Sequence, residues 1–232
     1  MWLSRYLGTS WRLPFSPVLR GAGIITAALV MGLFGTWQSM RVPHVRTVEI
    51  ALSKLPALLD GFSIVQLSDL HIEMLLTRDW LQRVVEKTNA LSPDIVALTG
   101  DMIDGFPEPL KCDMAPLGGL RARYGVYGVT GNHEYYFEAE KWLPVFESLG
   151  ISMLHNEHKT LSVPGGADLV IAGIPDPTEN RFGGPGPNLQ KALKGAPNAV
   201  RVLLAHRTGR ISGNIPVDLQ LSGHTHGGLL FF

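Results

Sequence analysis

The period of the apolar positions changes several times along the chain, and those changes divide it. No charged residue occurs between Arg20 and Arg41, and the centre of that stretch, 24–34 (IITAALVMGLF), is apolar apart from Thr26 and Gly32. A helix of that length rises about 30 Å, the thickness of a bilayer's hydrocarbon core. Residues 21–40 are therefore expected to form a membrane anchor with 1–20 as its basic flank, and Trp37 stands where an interfacial aromatic would. A cleaved signal peptide and a buried core helix are the alternatives. The GTWQSM after Phe34 fits a cleavage site poorly, and a core helix would carry a polar face that is missing here. Arg5, Arg12 and Arg20 before the span, against Arg41, Arg46 and Lys54 after it, give a slight lean to an N-in, C-out topology.

From 45 onward the pattern reads as alternating strands and helices, an α/β domain over 45–232. Strands are expected at 45–52, 62–67, 94–99, 126–130, 152–154, 160–163, 169–174, 199–204 and 217–221. The run 94–99 (DIVALT) is continuously apolar after its first residue, as in a strand covered on both faces. A helix over 77–91 starts at Thr77, with Leu81, Val84, Val85, Thr88 and Leu91 at helical spacing. A second is expected near 114–123. A third, over 138–149, carries Trp142, Leu143, Phe146 and Leu149 on one face. Residues 181–188 (RFGGPGPN) read as a surface loop.

Composition narrows the function classes. Of 232 residues, 17% are charged and 45% are apolar, which excludes a disordered chain. Twenty basic residues balance twenty acidic ones, so no basic excess points to nucleic acid. Cys112 is the one cysteine, which excludes an internal disulfide and a multi-cysteine zinc site. No Gly-Lys-Ser/Thr follows a glycine loop, so there is no P-loop.

The polar chemistry gathers at strand ends, where open α/β sheets bind ligands. Five expected strands end in Asp69-x-His71, Gly100-Asp101, Gly131-Asn132-His133-Glu134, His206, and Gly223-His224-Thr225-His226. Each alone has a structural reading: a turn for Asp69 and His71, a helix cap for Asp101, a left-handed turn position for Asn132. Packing does not explain five such endings together. Asp69, His71, Asp101, Asn132, His206, His224 and His226 are too many side chains for one reactive ion. Two ions sharing a carboxylate would take four each. Asp101, on the most apolar strand, is the natural bridge. His224 and His226 would point to opposite sides if extended and so serve different ions. Mixed imidazole, carboxylate and amide ligation suits Mn, Fe or Zn better than Ca or Mg. His44, His155 and His158 have no motif around them and read as ordinary surface or interface residues.

This ordered set resembles the calcineurin-like metallophosphoesterases over about 45–228. Asp104, Asn156-Glu157, Asp176-Pro177 and the Gly-His-Thr-His-Gly-Gly run resemble the membrane-anchored bacterial branch, often linked to UDP-2,3-diacylglucosamine hydrolysis and lipid A synthesis. The resemblance implies a four-layer sandwich, two β-sheets flanked by helices. It implies Asp69, His71 and His226 on one divalent ion and Asn132, His206 and His224 on the other, with Asp101 bridging. A metal-bridging hydroxide would attack phosphorus in line with the leaving oxygen. His133 would act as acid or transition-state donor, unless its bond only orients Asn132. Asp104 and Glu134 would be hydrogen-bond partners behind the ligands.

The implied substrate is a phosphomonoester, phosphodiester or pyrophosphate, with a lipid-linked phosphate one form of it. The implied location is single-pass in a bacterial inner membrane. A domain outside the cytoplasm would have poor access to a cytoplasmic nucleotide-sugar lipid, so topology bears on substrate. Two departures stand against the pattern. Thr208 occupies a position after His206 where proline is frequent, and only six residues follow His226 where further strands are usual. The alternative expectation is therefore a C-terminally shortened member with an incomplete second sheet, able to bind metal but catalytically impaired.

Overall fold

The computed structural model describes residues 16–73, 76–209 and 217–226. Residues 1–15 of the expected 1–20 flank lie outside them, as do Gly227, Gly228 and the last four residues, on which the expectation of an incomplete second sheet rests. The chain divides into two compact units, Met1–Arg41 and Val42–Phe232.

In the first unit, helix α1 runs Pro17–Ser39. Ser16 caps it, its hydroxyl accepting from the Leu19 amide, and Pro17 supplies a preset φ at the first turn. The 22 residues Pro17–Gln38 are long and apolar enough to cross a membrane, with none of the window buried against protein. At 1.5 Å per residue they rise about 33 Å. At the far end the Arg41 guanidinium lies 4.9 Å from the Trp37 ring centroid, pairing an aromatic with a cation as interfacial residues do.

The second unit is a two-sheet α/β sandwich. The first sheet is wholly parallel, in the order β1 (Ile64–Leu67), β2 (Ile95–Leu98), β3 (Val126–Gly128), β4 (Ile151–Met153). The second is β5 (Glu157–Val163), β6 (Ala167–Gly173), β7 (Val200–Leu204), β8 (Leu219–Leu221); its first pair is an antiparallel hairpin and the rest is parallel. Gly165 and Gly166, both at positive φ, make the hairpin turn.

Side-chain alternation builds the layers. On β2, Val96 and Leu98 face a core shared with α2 (Arg78–Ala90) and α5 (Ala139–Ser148), while Ile95 and Ala97 face the second sheet. On β6, Leu169 and Ile171 face the first sheet, while Val170 and Ala172 pack with the short helix α6 (Leu189–Ala192). Helices, sheet, sheet and helix thus make four layers, and β2 is buried on both faces as its continuous apolar run requires. Two further short helices, α3 (Pro107–Leu110) and α4 (Asn132–Tyr136), lie in loops that follow β2 and β3.

Several expectations need correction. Residues 45–52 form no strand. Alternation predicts one, but Val45, Val48 and Ile50 all point outward and no partner strand is present among the described residues. In α2 the Thr77 hydroxyl makes no cap bond, and the buried face takes Trp80 in place of Leu91, which is exposed past the helix end. The helix near 114–123 is a 3-10 turn, Ala115–Gly119, broken by Pro116 and two glycines. The loop at 181–188 begins inside a second 3-10 turn, Pro177–Phe182.

Trp142 and Phe146 stack at 5.4 Å and are completely buried beneath the first sheet. Phe146→Ala is expected to cost about 3–5 kcal/mol. Urea unfolding of the full chain in detergent, followed by tryptophan fluorescence, should show the lowered midpoint.

Candidate metal centre

The parallel strands all deliver their C-terminal ends to one rim, and the candidate residues stand there. Pairing between β1 and β2 continues past both strands, with the Asp69 amide donating to Gly100 O, His71 to Asp101 O and Ile72 to Met102 O. Asp69 and His71 are thereby held opposite Asp101. From the second sheet, the Gly223 amide donates to His206 O, and the His224 amide to both carboxylate oxygens of Asp69 (2.9 and 3.1 Å). Gln66 reaches across the sandwich to Ser222 O at 2.9 Å, fixing the loop that carries His224.

The backbone here is unusual. Asp69, His71, Asp101, His224 and His226 all have positive φ, between 43° and 70°, and make up five of the eight non-glycine residues that do among the described residues. That conformation costs about 1–2 kcal/mol per residue and persists where surrounding contacts impose it. His224 and His226 are thus left-handed, in place of the extended pair that their alternation predicts. They still part company: His226 groups with Asp69 and His71, and His224 with Asp101 and His206. A third group joins His71, Asp101 and His133.

Asp101 lies at the centre. Its Oδ1 accepts the His133 amide at 2.9 Å. Its Oδ2 faces His206 Nε2 at 3.1 Å, and His71 Nε2 and His133 Nε2 at 3.9 Å each. Burial alone would push its carboxyl up, but His206 and the His133 amide hold it below the ordinary value. Behind it, Glu134 is fully buried and accepts three amides, from Gly131 (2.6 Å), Asp101 (3.0 Å) and Met102 (2.7 Å). Burial and the nearby Asp101 push Glu134 up to about 7 against those donors. A cation beside Asp101 would oppose that push.

The donor atoms fit cations. His206 Nδ1 bonds Thr99 O at 2.8 Å, so its proton is fixed there and Nε2 presents a lone pair. That buried Nε2 makes no directed hydrogen bond, and neither does the buried Oδ1 of Asn132. Unsatisfied buried acceptors cost about 1–3 kcal/mol each. The His206 pKa is lowered by burial but raised more by Asp101, so a proton would occupy the same position unless a metal displaced it. Across the site, His71 Nε2 and His226 Nε2 face each other at 3.2 Å, with Asp69 Oδ1 3.5 Å from the latter. Two atoms each about 2.1 Å from one tetrahedral or octahedral ion lie roughly 3.0–3.4 Å apart. Burial lowers the pKa of His71, and burial with Arg207 lowers that of His224, which keeps both imidazoles neutral and able to ligate.

His133 stands beside this set. Its Nδ1 bonds Asp104 Oδ1, which leaves Nε2 directed toward the centre. Asp104 Oδ2 also lies 3.4 Å from His71 Nδ1, without a directed hydrogen bond between them. A cavity of about 400 Å³ opens beside His206, with Asp176, Arg207 and Asn188 on its walls.

Between residues 62 and 228 the sequence matches the calcineurin-like phosphoesterase family. The chain belongs to that family. It is 35% identical over 226 residues to a bovine "transmembrane protein with metallophosphoesterase domain", covering 92% of this chain and 51% of that protein. It is 38% identical over 218 residues to the zebrafish protein of the same name, covering 90% of this chain and 49% of that one. An uncharacterized metallophosphoesterase of Aquifex aeolicus is 32% identical over 205 residues, 86% of this chain and 77% of its own length. The chain spans about half the length of the first two.

Other motif residues have structural work. Asn156, also at positive φ, donates to Gly186 O and accepts the Asn188 amide, tying down the loop at 183–188. Asp176 caps the 3-10 turn through Thr178 and pairs with Arg207 at 2.8 Å. His155 pairs with Glu179 at 2.6 Å and His158 with Ala192 O at 2.7 Å, both apart from the three groups above, while His44 is exposed. Sequence reasoning passed over Gln66, Arg207 and the aromatic residues around His133, since none of them forms a spacing pattern.

A Cβ at Gly131 would overlap the Asp101 carboxylate. Gly131→Ala is therefore expected to leave the purified full chain with less than half the metal of the wild type by elemental analysis, while circular dichroism stays native.

Proposed function

We propose that the chain is a binuclear metal-dependent phosphoesterase. The observation that carries this reading is Asp101 Oδ2, faced by imidazole nitrogens from both clusters. Asp69, His71 and His226 would hold one divalent ion, Asn132, His206 and His224 the other, and Asp101 both. Mn, Fe or Zn suits these donors. Bound there, two ions supply Lewis acidity to the phosphoryl group and lower the pKa of the attacking water.

The chain's own residues do the rest. Glu134 fixes the backbone around Asp101, so the bridging carboxylate needs no reorganisation. Asp104 holds His133 at Nδ1, and in the doubly protonated ring Nε2–H is the proton given to the departing oxygen as the phosphorus–oxygen bond breaks, leaving a neutral imidazole. The apolar α1 supports a substrate presented at a membrane. A lipid-linked phosphoester or pyrophosphate follows, of which a UDP-2,3-diacylglucosamine type is one candidate.

The test uses full-length protein in detergent, stripped of metal by chelation and reloaded. Hydrolysis of bis-p-nitrophenyl phosphate should vanish on stripping and return with Mn. On an alkyl phosphodiester, whose departing alkoxide needs that proton, His133→Gln should keep its metal content while kcat falls by about 10²–10⁴-fold. Turnover unaffected by stripping, or a His133 variant of unchanged kcat, would contradict the reading. A panel of water-soluble and lipid-linked substrates then separates the narrower candidates.

A further inference from the structure

His133 does not stand alone at the rim. Helix α4 carries it one turn before Tyr136, and residues three apart share a face. Their rings lie 5.6 Å apart, and the Tyr136 ring is 6.4 Å from that of Phe182. On the other side Phe137 is 6.3 Å from His133 and meets Phe106 edge-on at 5.4 Å. The result is a continuous run of rings, Phe106, Phe137, His133, Tyr136 and Phe182, with the proposed proton donor in its middle. Phe106 is 50% exposed, Tyr136 46% and Phe182 59%. Isolated exposed apolar residues are ordinary, but three of them, linked through half-buried Phe137 and His133 at a reactive site, are not.

The row is also held in place. Trp142 Nε1 bonds Gly105 O at 3.0 Å, anchoring the loop that presents Phe106. Phe182 ends the 3-10 turn capped by Asp176, and its ring lies 6.3 Å from that of the buried Tyr135. These rings are therefore exposed by architecture.

The placement constrains the substrate. An acid that protonates the leaving oxygen must lie under whatever group that oxygen carries. If His133 is that acid, the leaving group is laid along the aromatic row. We infer that Phe106, Tyr136 and Phe182 form a shelf for the hydrocarbon part of a lipid leaving group, and that this shelf sets substrate preference. The inference rests on the phosphoesterase reading above and adds the side of the phosphorus on which the lipid lies. The apolar α1 of the same chain is consistent with that occupant.

The test measures equilibrium binding by calorimetry, with Mn-loaded full-length protein in lipid nanodiscs and two non-hydrolysable probes, methylphosphonate and hexylphosphonate. The wild type should prefer the hexyl probe by about tenfold or more, because each buried methylene adds to binding. The double variant Phe106→Ala/Phe182→Ala should lose most of that preference, with methylphosphonate affinity and metal content unchanged. Partition of the hexyl probe into lipid is common to both proteins and cancels in the comparison. Equal affinity for the two probes in the wild type, once partition measured on empty nanodiscs is subtracted, overturns the shelf. So does a double variant that keeps the preference, which would assign the rings to the bilayer surface or to a second copy. A wild type that binds no methylphosphonate removes the phosphoesterase reading, and the shelf with it.

Discussion

The candidate site depends on one carboxylate. Asp101 is buried, sits at the end of the most enclosed strand and faces imidazoles from both sheets. An isolated buried carboxylate is costly, and opposing positive charge is what makes it tolerable. Much of the local structure serves that residue. Gly100, at a φ of 89°, turns the chain immediately before it. Gly131 leaves the space its side chain fills, Glu134 binds its amide and the His133 amide binds its oxygen. Sheet, turn and helix α4 thus agree on one position, and the left-handed backbone of Asp101 is imposed by those contacts together.

The layered fold explains why such a position exists. Parallel strands point the same way, so their ends share an edge, and the second sheet's β7 and β8 run parallel to each other beside it. Packing the two sheets face to face brings His206 and His224 against the first sheet's Asp69 and Asp101. Gln66 and the His224 amide make polar ties between the sheets at this edge. The scaffold's rigidity at Trp142 and Phe146 and the site's geometry are therefore linked through the same strands.

Much of this was legible in the sequence. The period of the apolar residues gave seven of the eight strand positions closely and both long helices of the sandwich, because each strand has one or two faces that must be dry. It failed at 45–52, where alternation exists without a partner strand, and at 114–123, where Pro116 and two glycines shorten the helix. The clustering of the candidate-site residues was legible because Asp, Asn and His stand at strand ends where packing has no use for them. Their left-handed backbone was not, since only Gly100 signals it. Phe106, Tyr136 and Phe182 were illegible for a different reason. They come from three separate loops and short helices, and only the folded chain brings their rings around His133.

The central claim is that Asp101 joins two cation sites. Electron paramagnetic resonance of the full chain titrated with Mn tests it most directly. The account predicts two equivalents bound and an exchange-coupled signal in the wild type, with the coupling lost in Asp101→Asn. A single equivalent giving an isolated six-line spectrum, or coupling that survives in Asp101→Asn, would contradict it.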